Sequence, residues 1–392
     1  YVDFGPVNTV VSSNFIDKVR FRASAQTTAN LSPHLFLKGY AAYGVRDKKW
    51  KYEGEVEYSF LKKQYSPEEF PRNSIAISTR YDVMAPSDAM LPTDKDNVFT
   101  SLKTQTIDQM SYFRQYNIRY VYEFDNHFGI TAQLRHITQN PTGTLFYRTL
   151  GGQIVPELTQ SEATLSLRYA PGEKVVVTKQ RRHPVNHNYP IYTLMHTTGF
   201  KDVLGGDYAS NYTELSVTKR FWLNSYGRID IYGRAGAQWN RVPFPLLITP
   251  AANNSYIIQR SMFNMINNME FMNDRFVSLA VQWDLSGKLF NRIPLLKHLK
   301  WREVIGFKTL YGTLTDKNNP FKQGSTSDLF EFPSRNGQPT SFVMGDTPYM
   351  ELNVGIHNIF KILRVDYVRR LNYLNVPNAK KNGVRFVLQF DF

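Results

Sequence analysis

Hydrophobic and polar residues alternate one by one along much of this chain. In the last ten residues Val384, Phe386, Leu388, Phe390 and Phe392 fall on one side of an extended strand, and Arg385, Gln389 and Asp391 on the other. A strand repeats every two residues, so the segment presents one apolar, aromatic-rich face and one mostly polar face. The same period returns between 109 and 124, where Met110, Tyr112, Tyr116, Ile118, Tyr120, Tyr122 and Phe124 oppose Ser111, Gln115, Asn117, Arg119 and Glu123, with Arg114 alone breaking the apolar side. Between 50 and 62, Trp50, Tyr52, Val56, Tyr58 and Phe60 oppose Lys51, Glu53, Glu55, Glu57 and Ser59. Residues 228–239 and 363–373 repeat it, with Ile229, Ile231, Ala235 and Ala237 against Arg228, Asp230 and Arg234, and Leu363, Val365 and Tyr367 against Arg364, Asp366 and Arg370. Matches so far apart along one chain make chance an insufficient account.

Turn residues divide the chain into about sixteen strands, near 3–13, 19–28, 34–45, 49–62, 73–84, 108–124, 128–139, 161–169, 191–200, 208–222, 227–240, 275–286, 301–313, 347–357, 361–373 and 383–392. If both termini lie on one rim, the connections 85–107, 140–160, 241–274 and 314–346 leave from the other, and these are the long ones. Short turns on the periplasmic rim and long loops outside are the habit of outer-membrane barrels. Two inner connections are too long for that habit: 170–190 has room for an extra hairpin, and 287–300 (GKLFNRIPLLKHLK) for a short amphipathic rim helix. The fold class expected is all-β, an antiparallel transmembrane β-barrel forming a single domain over 1–392. A barrel of this strand count encloses an aqueous lumen unless a loop fills it.

Composition sharpens the expectation. Aromatic residues make up 14% of the chain, which suits girdles at two membrane interfaces. Mean hydropathy is -0.40, yet half of each barrel strand faces a polar lumen, so the average hides an apolar half. No run of about eighteen apolar residues is present, which excludes a transmembrane helix of ordinary length. Cysteine is absent, which removes disulfides, thiolate metal sites and a cysteine nucleophile. The opening residues YVDFGPVNTVV lack a signal pattern, so an upstream signal and periplasmic domain are expected to be missing from this sequence. The net charge of +14 is spread over alternating strands, which points to anionic lipid headgroups and lipopolysaccharide, with no nucleic acid.

The order of motifs resembles a family of bacterial outer-membrane barrels preceded by a carboxypeptidase-regulatory-like domain. The likeness rests on DFGPVNTVVSSNFIDKVRFRAS, LKGYAAYGVRDKKWKYEGEVEYSF, LRYAPGEKV, DVLGGDYASN, VPFPLLITP, FNMINNMEFMNDRFVSL, NRIPLLKHLKWREVIG, VGIHNIFKILRVDYVRRL and the terminal strand. More distantly it is similar to the insertase barrels of the BamA and TamA superfamily. That resemblance implies a loop between strands eleven and twelve folded into the lumen and planting an Arg-Gly-aromatic motif on the wall. Here 241–274 is that loop, and Arg260, Ser261 and Phe263 are the nearest match, with Ser in place of Gly and Met262 inserted.

An insertase would have a weak seam between first and last strands, to which Pro6, Phe390 and Phe392 belong. Pro6 lacks a ladder donor and either weakens the first strand or precedes a strand starting near Val7. Arg260 either pairs with a lumenal carboxylate (Glu53, Glu55, Glu57, Asp230 or Asp284) or is a solvated loop arginine. The basic rim Lys179, Arg181 and Arg182 could grip phosphate. His183 and His187 have a helical metal spacing, but Pro184 argues against a helix, so no metal is expected. No catalytic motif stands out. The reading is a non-enzymatic barrel without cofactor, acting in outer-membrane biogenesis with protein or lipid clients; a solute channel and a structural anchor subunit are the alternatives.

Overall fold

The computed structural model describes all residues except 92–93, 178–181, 186–187, 323 and 389–392. Sixteen staves form one antiparallel sheet in chain order. The first, β1, is interrupted: Val2–Phe4 and Val11–Ser12 both pair with β2, Arg20–Thr27. There follow β3 (Leu35–Gly44), β4 (Trp50–Ser59), β5 (Asn73–Met84), β6 (Gln109–Glu123), β7 (Phe128–Gly143) and β8 (Leu158–Tyr169). The second half comprises β9 (Ile191–Phe200), β10 (Ser210–Trp222), β11 (Arg228–Gln238), β12 (Arg275–Asp284), β13 (Arg302–Thr313), β14 (Tyr349–Ile359), β15 (Leu363–Arg370) and β16 (Asn382–Leu388). A four-residue helix α1, Val98–Ser101, lies in the β5–β6 loop.

Burial is inverted relative to a water-soluble sheet. On β4 Lys51, Glu57 and Ser59 are buried while Trp50, Tyr52, Val56 and Tyr58 are exposed. On β6 Ser111 and Asn117 are buried while Tyr116, Ile118 and Tyr120 are exposed, and on β15 Arg364, Asp366 and Arg370 are buried while Tyr367 is exposed. Charges turned in and aromatics turned out suit a wall with lipid outside, where each outward apolar side chain contributes about 1.5–3 kcal/mol on leaving water. This is the all-β antiparallel barrel wall of sixteen strands expected from the alternation, without a ladder between its first and last strands among the described residues.

The β5–β6, β7–β8, β11–β12, β13–β14 and β15–β16 connections leave from one rim, and from the other come tight turns such as 124–127 and 223–227. The connection 170–190 contains the hairpin Val175–Val177 with Arg182–Pro184, and 285–301 contains the helix Pro294–Leu299, α2. Pro6 satisfies neither sequence reading alone: it sits in the break of β1 and N-caps a single turn, Val7–Thr9.

The apolar core lies inside the sheet, at the long-loop end. Ile248, Ala252, Phe263, Met265, Ile266 and Phe271 of the β11–β12 loop pack on Phe276, Leu310, Tyr349 and Val368 of the wall. A second cluster joins three loops, with Leu145 and Tyr147, Val242, Phe244 and Met272, and Phe330 and Phe332. The long loops therefore fold inward and close over one another.

Candidate functional site

Strand β16 pairs with β15 through seven residues, Asn382–Leu388, and no pairing between β16 and β1 occurs among the described residues. Two inward-folded loops occupy the space between these edges. Tyr256–Ile258 of the β11–β12 loop runs parallel to β16, centred on Ile257 and Phe386. The Phe386 N–H donates to the Tyr256 carbonyl and the Ile258 N–H donates to the Phe386 carbonyl, both at 2.8 Å. On its other side the same segment meets the β5–β6 loop: the Thr104 N–H donates to the Asn254 carbonyl at 2.8 Å and the Tyr256 N–H to the Leu102 carbonyl at 3.0 Å. Helix α1, just before Leu102, packs against the interrupted β1. The order across the seam is β16, 256–258, 102–104, α1, β1.

Buried polar groups hold these loops, because irregular backbone inside a wall must find partners. The Glu351 carboxylate on β14 accepts the N–H groups of Asn264 (2.9 Å) and Met265 (3.0 Å). Lys308 on β13 donates to the Gln259 and Met262 carbonyls. Arg370 on β15 pairs with Glu270 at 2.7 Å, and Arg385 on β16 donates to the Asn264 carbonyl at 2.7 Å. Gly312 on β13 lets the loop approach: a Cβ there would lie 2.3 Å from the Asn273 Oδ1. The β5–β6 loop is clamped to the first staves, since Arg22 pairs with Asp94 (2.8 Å) and Asp96 (2.9 Å), and Arg20 with Asp96 at 3.1 Å. Burial pushes the Asp96 carboxyl up, but Lys95 and Arg20 outweigh it and hold the group below the usual carboxylate range.

A third loop completes the junction. Lys380, in the β15–β16 connection, donates to Thr104 Oγ1 (2.9 Å) and Asn254 Oδ1 (3.1 Å). Burial, with Arg385 and Lys103 nearby, pushes its pKa down to about 7.

The residues singled out from the sequence are distributed differently. Phe263 is buried, its ring edge-on to Tyr349 at 5.6 Å, and Ser261 is half-buried beside it. Arg260 is exposed and makes no ion pair among the described residues, so of its two readings the structure has the solvated loop arginine and not the lumenal ion pair. The carboxylates proposed for it are already neutralised by arginines on or next to the strands: Glu53 by Arg80 (3.6 Å), Glu55 by Arg119 (3.3 Å), Glu57 by Arg72 (2.7 Å), Asp230 by Arg220 (2.5 Å) and Asp284 by Arg228 (3.3 Å). Arg182 is spent on Glu123 (2.8 Å) and Glu173 (3.2 Å) and is not a free phosphate grip. His183 lies in an extended strand, Arg182–Pro184. Lys179, Arg181, His187, Phe390 and Phe392 lie outside the described residues. Glu351 and Lys308 were not singled out from the sequence, and Arg370 and Arg385 were read only as members of a polar strand face. Their signal is an inward charge on β13–β16, opposite an Asn- and Met-rich loop.

The model of a family of unknown function, the DUF5686 C-terminal domain, matches residues 2–321. No curated protein sequence matches the chain. Among solved structures, CdiB from Acinetobacter baumannii is similar at 9% identity and a TM-score of 0.47 over 96% of this chain, which spans 57% of CdiB. OccK11 (OpdR) from Pseudomonas aeruginosa is similar at 8% identity and a TM-score of 0.35, over 94% of this chain and 87% of that one.

Proposed function

The chain belongs to the DUF5686 C-terminal-domain family, and we propose that it is an integral protein of the bacterial outer membrane that serves envelope assembly through the seam between β1 and β16. The observation that carries this reading is the break in the wall itself. A barrel removes its edges by closing on itself, whereas here two loops stand where the last ladder would be. An edge covered by displaceable loops can be uncovered, and an uncovered edge next to lipid can accept an extended segment or disturb lipid order. The work is strand pairing and interfacial strain, carried out without a cofactor and without a catalytic group. Its clients are proteins or lipids of the outer membrane, lipopolysaccharide included, and the net charge of +14 supports contact with anionic headgroups. A solute channel fits less well, because the long-loop half of the lumen is filled by the apolar clusters around Phe263 and Phe330.

The test ties the seam shut in cells. Val11 and Val384 are exposed on the two edges and the chain has no native cysteine, so V11C and V384C give unique thiols for a bis-maleimide bridge. Cells whose only copy is bridged are expected to accumulate unassembled outer-membrane proteins or misplaced lipid, while the unreacted double variant behaves as wild type. Normal assembly in the bridged cells would remove the seam from the function.

A further inference from the structure

The outward edge of β16 is longer than the segment that covers it. Phe386 turns its N–H and C=O away from β15 towards Tyr256 and Ile258. In an antiparallel ladder these groups alternate sides from residue to residue, so Val384 and Leu388 address the same edge as Phe386. Among the described residues no strand pairs with them there, and the Val384 carbonyl accepts only from the neighbouring Arg385 Nη1 at 3.1 Å, a side chain an incoming strand would displace. Two hydrogen bonds from a three-residue stretch thus hold the middle of an edge able to receive a full strand.

The covering stretch is also built to leave. The Ile257 carbonyl accepts from Asn253 Nδ2 (2.8 Å) and Ser255 Oγ (3.0 Å), so it is satisfied within its own loop. Tyr256, Leu102 and Phe99 at this place are large apolar side chains left exposed, at 44%, 55% and 41%.

We propose that Tyr256–Ile258 is a placeholder strand, and that the site it guards on β16 binds an extended polypeptide segment with alternating apolar and polar residues. The placeholder deepens the seam reading above and rests on it. The ligand is a polypeptide and not an acyl chain, because the edge offers a row of backbone donors and acceptors, which only another backbone matches at the strand spacing. Parallel pairing by the loop leaves the incoming segment free to pair in the antiparallel sense, which is slightly stronger per residue.

The experiment uses the purified barrel in lipid vesicles and a benzophenone-tagged peptide of sequence GVRFVLQFDF as probe, with cross-links to Asn382–Leu388 mapped by mass spectrometry. Ile258→Pro deletes the N–H given to Phe386, and the loss of one hydrogen bond is expected to raise cross-linking about fivefold. Lys103 and Ser255 face each other as an antiparallel, non-hydrogen-bonded pair, the geometry in which side chains come closest. K103C and S255C should therefore form a disulfide that staples the placeholder down and drops the yield below wild type, with recovery on reduction. Heat-dependent gel mobility checks that each variant is folded. If both the proline variant, when folded, and the oxidised staple cross-link at the wild-type level, the placeholder idea is overturned; should the proline variant fail to fold, the staple decides alone. The two readings separate cleanly: a bridged seam harmless in cells removes the function, whereas unchanged peptide capture removes only the placeholder.

Discussion

Lys380 shows how a single residue can tune the loop junction. It bridges Thr104 and Asn254, and its pKa is depressed to about 7. Between about 7 and the ordinary 10.5, the closed junction therefore holds fewer protons than an opened one, and raising the pH favours closure. Below about 7 both forms are protonated and the dependence levels off. Protection factors of the Thr104 and Tyr256 amides, in which the intrinsic pH effect on exchange is divided out, should climb as pH rises from 7 towards 10. In Lys380→Met the rise should vanish. A flat profile in the wild type would mean that Lys380 is solvated and carries no such role. The junction residues were largely illegible in the sequence, because Asn254, Thr104 and Lys380 are far apart in the chain and share no period. Arg260 was overvalued for the opposite reason. Position in a loop made it visible, while the arginines that neutralise Glu53, Glu55, Glu57, Asp230 and Asp284 lie on or next to strands and look like ordinary wall residues.

At the scale of elements, the strands were readable because two-residue alternation is a local property and needs no knowledge of partners. The sequence bounds 73–84 and 191–200 coincide with β5 and β9. β1 was not readable as drawn, since Pro6 splits it into Val2–Phe4 and Val11–Ser12. The faces are testable on β6, where Ile118 is exposed and the adjacent Asn117 is buried on the lumenal side. Ile118→Arg places a charge in lipid and should cost about 2–4 kcal/mol if its depth is near the midplane. Asn117→Ser should cost much less, since it keeps a polar group in a polar interior. Unfolding in urea from lipid vesicles measures both, and equal costs would contradict the assignment of faces. The loops resist such reading. FNMINNMEFMN has neither period, and its buried asparagines serve the irregular backbone: Asn264 gives its backbone N–H to Glu351, and Asn268 Oδ1 accepts from the Ser87 N–H.

For the whole molecule, the alternation specifies a barrel wall but not whether the wall meets itself. Closure is decided by what lies between β16 and β1, and here that is a pair of loops drawn in by Glu351, Lys308 and Arg370 on one side and by Arg20 and Arg22 on the other. The plug and the seam are thus one structure, in which the residues that fill the lumen also cover the free edge. The most direct measurement is a cysteine scan of that edge in intact membranes, pairing V384C, F386C or L388C with V2C, F4C or V11C and recording disulfide formation under mild oxidation. The account predicts that none of these pairs links rapidly, while K103C with S255C does. Fast, register-specific linkage of β16 to β1 would show a wall closed strand to strand, and the seam would no longer be available for work.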